Sequence, residues 1–168
     1  MNNPDSAPSF GIEVNIPIQD IQTEWSRCSM LANYIAEYVA FEYEHREWAE
    51  NLLSTISNEL LETAVYLAPD ISDLELKINK NDSAFMVTMT HLVKDPLLTH
   101  YETFIHALDS DQKQDIYINW LTQSKEEAPY FNQLGLCILT NDFDAQLQIQ
   151  NESNNRVETI LHLPIKEL

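Results

Sequence analysis

The chain has 168 residues, 44% of them apolar, enough for one domain with a closed core. Nine basic residues against 27 acidic ones give a formal net charge of −18. Nucleic acids and anionic membranes are held through Lys and Arg, so both are excluded as partners; the charge either steers a basic protein partner toward the chain or simply keeps it in solution. The two glycines, Gly11 and Gly135, are too few for the phosphate-cradling motifs GxGxxG and GxxxxGK[ST], which need several glycines where backbone meets ligand.

The opening MNNPDSAPSF is polar and lacks a basic n-region, so residues 1–9 read as a flexible tail before a single domain over 10–168. No apolar run approaches the ~20 residues of a membrane span, and cytoplasm is the expected address. Residues 10–18 alternate apolar and polar as a strand does. From Ser26 to Glu44 the spacing is helical, with Leu31, Tyr34, Ile35, Tyr38 and Val39 on one face. A second helix is predicted from Arg46 to Leu67, closing before Ala68-Pro69, because a proline biases its predecessor out of the α region. Its apolar stripe is Ala49, Leu52, Leu53, Ile56, Leu60 and Leu67, and Glu59 and Thr63 fall at the border of that stripe.

A hairpin follows: Leu74, Leu76 and Ile78, a turn over Asn79–Asp82, then Phe85, Val87 and Met89. Residues 95–126 read as helix with a break at Asp109-Ser110-Asp111, where Ser or Asp can cap a new helix. A last helix covers Phe131 to Asn141, and strands over 144–150 and 156–163 close the chain. The order β–α–α–β–β–α–α–α–β–β implies an α+β two-layer sandwich, with a mixed, mostly antiparallel sheet and helices on one face.

Few residues suggest chemistry. Cys28 and Cys137 lie in apolar helical patterns and read as buried thiols. His91, His100 and His106 lack metal-ligand spacing, so no metal site is expected. Trp25, Trp48 and Trp120 are core or interface anchors, which sequence does not separate.

Asn58-Glu59-Leu60-Leu61-Glu62-Thr63-Ala64 resembles the N-box of the GHKL (histidine-kinase-type) ATPases. Gln133-Leu134-Gly135-Leu136, with the Asn141–Leu147 stretch beyond it, resembles that family's GLGL lid segment, and Val157–Pro164 its last strand. The likeness extends to small bacterial regulators related to the anti-sigma-factor serine kinases, which work by partner switching.

The resemblance implies a catalytic glutamate at Glu59, a magnesium-holding position at Thr63 and a lid glycine at Gly135. The chain departs from the family at three points. Thr63 replaces an asparagine. The segment Thr90–Pro96 lacks the glycines of the adenine-pocket motif, and Asp95 is its only carboxylate. Gln133 replaces one lid glycine.

With those departures the resemblance implies a catalytically silent regulator with no cofactor. It would bind a protein partner such as a STAS-type or other signalling domain, using a lid segment (92–132) freed from nucleotide. The alternative is an ATP- and magnesium-dependent serine kinase that uses Glu59 as base and Thr63 as metal ligand. Residues 26–44 would supply a homodimer contact.

Overall fold

The computed structural model describes residues 10–80, 84–122 and 131–164. The expected tail over 1–9, the tip of the 79–82 turn and the 123–126 end of the long helical stretch lie outside the described residues. The strands are β1 (Phe10–Pro17), β2 (Asp73–Lys80), β3 (Ala84–Leu92), β4 (Gln146–Asn151) and β5 (Arg156–Pro164). They form one sheet in the order β1-β2-β3-β5-β4. Every pairing among the described residues is antiparallel, as in Ile78↔Val87 and Val87↔Leu161.

Period-two alternation makes this a two-layer fold. Leu74, Leu76 and Ile78, then Phe85, Val87, Met89 and His91, then Val157, Thr159, Leu161 and Leu163 are all buried. Glu75, Lys77 and Glu158 alternate with them on the other face. That face carries ion pairs from Arg156 to Glu75 (3.8 Å) and from Lys77 to Glu13 (3.8 Å), and a Lys77–Glu75 contact. Each large aliphatic side chain buried on the inner face contributes about 1.5–3 kcal/mol relative to exposure.

The helices among the described residues are α1 (Ile18–Thr23), α2 (Ser26–Ala40), α3 (Arg46–Leu67), α4 (Asp95–Leu108), α5 (Lys113–Thr122) and α6 (Gln133–Asn141). Sequence periodicity leaves out α1. The opening strand stops at Pro17, whose φ of −63° and ψ of 124° end the ladder, and Ile18 N donates to Ser72 O at 2.9 Å. Helix α2 closes four residues before the expected Glu44, because Phe41–His45 turn the chain back. α2 and α3 then run antiparallel, tied by Ser54 Oγ to Asn33 Oδ1 (2.5 Å) and Arg46 to Glu37 (3.4 Å).

Helix α3 ends where expected, with Ala68 extended at ψ 146° before Pro69. All six residues of its expected apolar stripe are buried. Ser110 breaks α4 from α5: its Oγ donates to Ala107 O (2.6 Å) and accepts from Gln112 N (3.2 Å). The turn into β5 uses Asn154 and Asn155 at φ near +60°, a conformation that asparagine tolerates better than most side chains.

Within the 92–132 segment, α4 buries one face against the core and exposes the other. Tyr101, Ile105 and Leu108 are buried, and the Tyr101 hydroxyl lies 2.7 Å from Thr159 Oγ1 on β5. Phe131 meets Tyr101 and Phe104 edge-on at 5.4 and 5.5 Å. Helix α4 is therefore part of the core, and α5 is held to the α6 region through Tyr117 to Asp142 (3.0 Å) and Lys113 to Thr140 O (3.5 Å). Of the three tryptophans, Trp120 packs on the core, while Trp25 and Trp48 are exposed. No helix among the described residues is long and apolar enough to cross a membrane.

Candidate functional site

The site forms where the middle of α3 meets the start of α6. Glu59 is half-buried on α3, and its Oε2 accepts a hydrogen bond from Asn132 Nδ2 at 2.6 Å. The same amide nitrogen lies 3.3 Å from Glu59 O. Asn132 is also the N-cap of α6, and its Oδ1 accepts from Gly135 N at 3.2 Å. One side chain thus satisfies a helix N-terminus with its oxygen and holds a carboxylate with its nitrogen.

Gly135 completes the arrangement through lack of bulk. A Cβ there would run into Glu59 Oε2 and Asn132 Nδ2, and would come within 2.8 Å of Asn132 Cγ. Its φ is not positive, so glycine is present for space and not for backbone freedom. Burial raises the Glu59 carboxyl pKa above its ordinary value. The Asn132 hydrogen bond offsets part of the rise, and the charge of Glu62 adds to it. Glu62 is itself held by Asn58 Nδ2 at 2.9 Å.

Two of the three sequence-predicted site residues, Glu59 and Gly135, are therefore brought together. Thr63 is placed differently. It is fully buried, not at the border of the stripe, because α3 is covered both by α2 and by the sheet. Its Oγ1 donates to Glu59 O at 2.8 Å, the back-bond to the preceding turn that a mid-helix threonine commonly makes. A magnesium–nucleotide does not fit the residues in this arrangement. Thr63 offers no exposed oxygen, and Glu59 Oε2 is engaged by Asn132.

Asp95 lies apart from the site. It accepts from Asn155 Nδ2, tying the start of α4 to the turn before β5. His91 is buried on β3, with Nδ1 donating to Leu92 O at 2.8 Å, while His100 and His106 lie on exposed positions of α4. No group of three or more His, Cys, Asp or Glu among the described residues is placed to hold a metal. Cys28 and Cys137 are buried, and burial pushes both thiols up to about 12, with the charges of Glu62 and Glu59 adding to the rise at Cys28. Asn132 is the functional residue that sequence reasoning missed. The expected helix start at Phe131 placed Asn132 inside the helix, whereas α6 begins at Gln133 and Asn132 caps it, a position an asparagine favours.

A five-stranded antiparallel sheet covered on one face by helices, with an N-box-like α3 meeting a lid-like α6, is the GHKL ATPase-like fold. A chain of the SiaB–SiaC complex from Pseudomonas aeruginosa shares it, with a TM-score of 0.63 at 16% identity over 92% of this chain and 89% of that one. The catalytic domain of the histidine kinase ThkA aligns at a TM-score of 0.39 and 12% identity, over 92% of this chain and 97% of that one. No family model matches the sequence, and no curated protein matches it.

Proposed function

We propose that the chain is a bacterial signalling regulator: a catalytically silent GHKL-like module that acts by binding a protein partner in a partner-switching pathway. The observation that carries this reading is the Glu59–Asn132–Gly135 contact. The one intact catalytic-type residue has its Oε2 tied to the lid helix, and the lid glycine is packed against it. A general base must be free to reach the proton it takes. Thr63 is buried with its hydroxyl bonded within α3, and no group of three or more His, Cys, Asp or Glu among the described residues is placed to hold a metal there. The shared fold with a chain of a two-protein complex supports a protein as the partner. Within that class, a STAS-type or other signalling domain is the proposed identity, and the cytoplasm the proposed location.

One observation favours a second reading, an ATP- and magnesium-dependent serine kinase. Burial raises the Glu59 pKa, which would poise it as a base. That reading requires Asn132 to release Glu59 and Thr63 to turn its hydroxyl away from Glu59 O.

Calorimetric titration with ATP and ADP, with and without Mg²⁺, separates the two. The silent module predicts no binding at sub-millimolar nucleotide. Magnesium-dependent micromolar binding would overturn it.

A further inference from the structure

Helix α2 is apolar on two opposite sides. Its inner side, with Cys28, Ala32, Ile35, Ala36 and Val39, is buried against α3 and the sheet. On the opposite side, Met30 (66% exposed), Tyr34 (63%) and Tyr38 (49%) form a single row, which Phe41 (66%), the C-cap just past the helix at helical φ and ψ, extends. Their spacing of four, four and three residues keeps them on one face at ~100° per residue, over roughly 16 Å of axis. A surface helix ordinarily turns polar residues outward, and aromatic and methionine side chains grouped this way mark contact surfaces.

The surroundings of the row say what covers it. Glu37 lies beside it, paired with Arg46, and Glu42, Glu44 and Glu47 are exposed beyond its C-terminal end. The nearby guanidinium groups are already engaged: Arg46 with Glu37 (3.4 Å), Glu50 (4.0 Å) and the Phe41 ring (3.8 Å), and Arg27 with Glu24 (3.2 Å). An apolar row edged by carboxylates on a chain of net charge −18 repels a second copy of itself and attracts a cationic partner. The four-four-three spacing matches the seam of a facing helix.

We infer that the outer face of α2 docks a basic amphipathic helix of a partner protein, with apolar residues meeting Met30, Tyr34, Tyr38 and Phe41 and Lys or Arg meeting the flanking glutamates. This rests on the reading that the chain works by protein binding, and it names the surface and the chemistry of the partner.

The test uses the full chain and two synthetic 18-residue helical peptides that share one leucine face, one with lysine and one with glutamate on the polar positions. Binding is followed by fluorescence anisotropy, and contact sites by amide chemical-shift mapping. The expected result is binding of the lysine peptide, with shifts confined to α2 and weakening as salt is added, and no binding of the glutamate peptide.

The charge-neutral double substitution Met30→Ser with Tyr34→Ser, on exposed positions that leave the core intact, should weaken the lysine peptide at least tenfold. Unchanged affinity of that variant would mean that net charge alone holds the peptide and would overturn the proposal. A wild-type dimer in sedimentation that the same variant dissociates would also overturn it, in favour of self-association. Nucleotide binding in the calorimetry above would sink the silent-module reading while leaving this result standing, so the two failures are distinguishable.

Discussion

Replacing Gly135 by alanine tests the site because two effects of known size oppose each other. In an ordinary helix the change stabilises by about 1 kcal/mol through backbone propensity. Here the new methyl would occupy the space of Glu59 Oε2 and Asn132 Nδ2, so the contact between those side chains must open. A hydrogen bond to a charged group contributes about 1.5–3 kcal/mol, which leaves a net destabilisation of roughly 0.5–2 kcal/mol. For a chain of this size that lowers Tm by about 1–8 °C. In an Asn132→Ala background the contact is already absent and Glu59, only half-buried, is free to turn outward. Gly135→Ala should then raise Tm by a few degrees. The assay is thermal unfolding of the wild type, both single variants and the double variant, treated as a double-mutant cycle. A rise in Tm from Gly135→Ala alone, or the same loss in both backgrounds, would refute the reasoning.

Three further outcomes follow from buried polar groups. Burial lowers the His91 pKa from 6.5 to about 4. The folded imidazole stays neutral while the unfolded one takes a proton, so its contribution is present above pH 6.5 and is lost as the pH falls toward 4, on the order of 3 kcal/mol in all; denaturant titrations of His91→Met should show a shallower acid slope than wild type. Tyr101→Phe leaves the buried Thr159 hydroxyl without the tyrosine oxygen 2.7 Å away, costing about 1–2 kcal/mol in urea unfolding, and adding Thr159→Val should recover most of it. Cys28 and Cys137 should resist a thiol reagent at pH 8 in the native state and react fully in denaturant, since burial keeps both thiols protonated; rapid native labelling would contradict their placement.

Much of the architecture was legible because its elements are long enough to show their period. Helix α3 read correctly from Ala49, Leu52, Leu53, Ile56, Leu60 and Leu67, with Pro69 marking its end. The β2–β3 hairpin read correctly from two alternating runs. Helix α1 was hidden because six residues make fewer than two turns, too short for a 3.6-residue period to declare itself, and it lies against a strand ended by Pro17. The end of α2 was misplaced because Phe41 and Tyr43 extend the apolar pattern past Ala40, although they belong to the turn. The same weakness conceals the outer row of α2: Tyr34 and Tyr38 were read as sharing a face with Ile35 and Val39, whereas the structure exposes the first pair and buries the second. An apolar stripe in a sequence does not say which of its residues meet the core and which meet water.

The site was half legible, and the part that was missed changes the meaning of the part that was found. Glu59 and Gly135 were both identified through the resemblance to the N-box and lid motifs. Asn132 was not, because its bond to Glu59 spans 73 residues of sequence and no local pattern reports it. Without Asn132, Gly135 reads as a relic of phosphate binding, kept so that backbone can approach a ligand. With Asn132 in place, Gly135 is explained by the two side chains that a Cβ would strike, at a φ that any residue could adopt. A phosphate entering here would have to break a charge-assisted hydrogen bond and come to rest beside a carboxylate, with Glu62 adding further negative charge. The same two residues that carry the resemblance to an ATPase thus form an internal contact through Asn132, and on the proposed reading that contact takes the place of the ligand the resemblance implies.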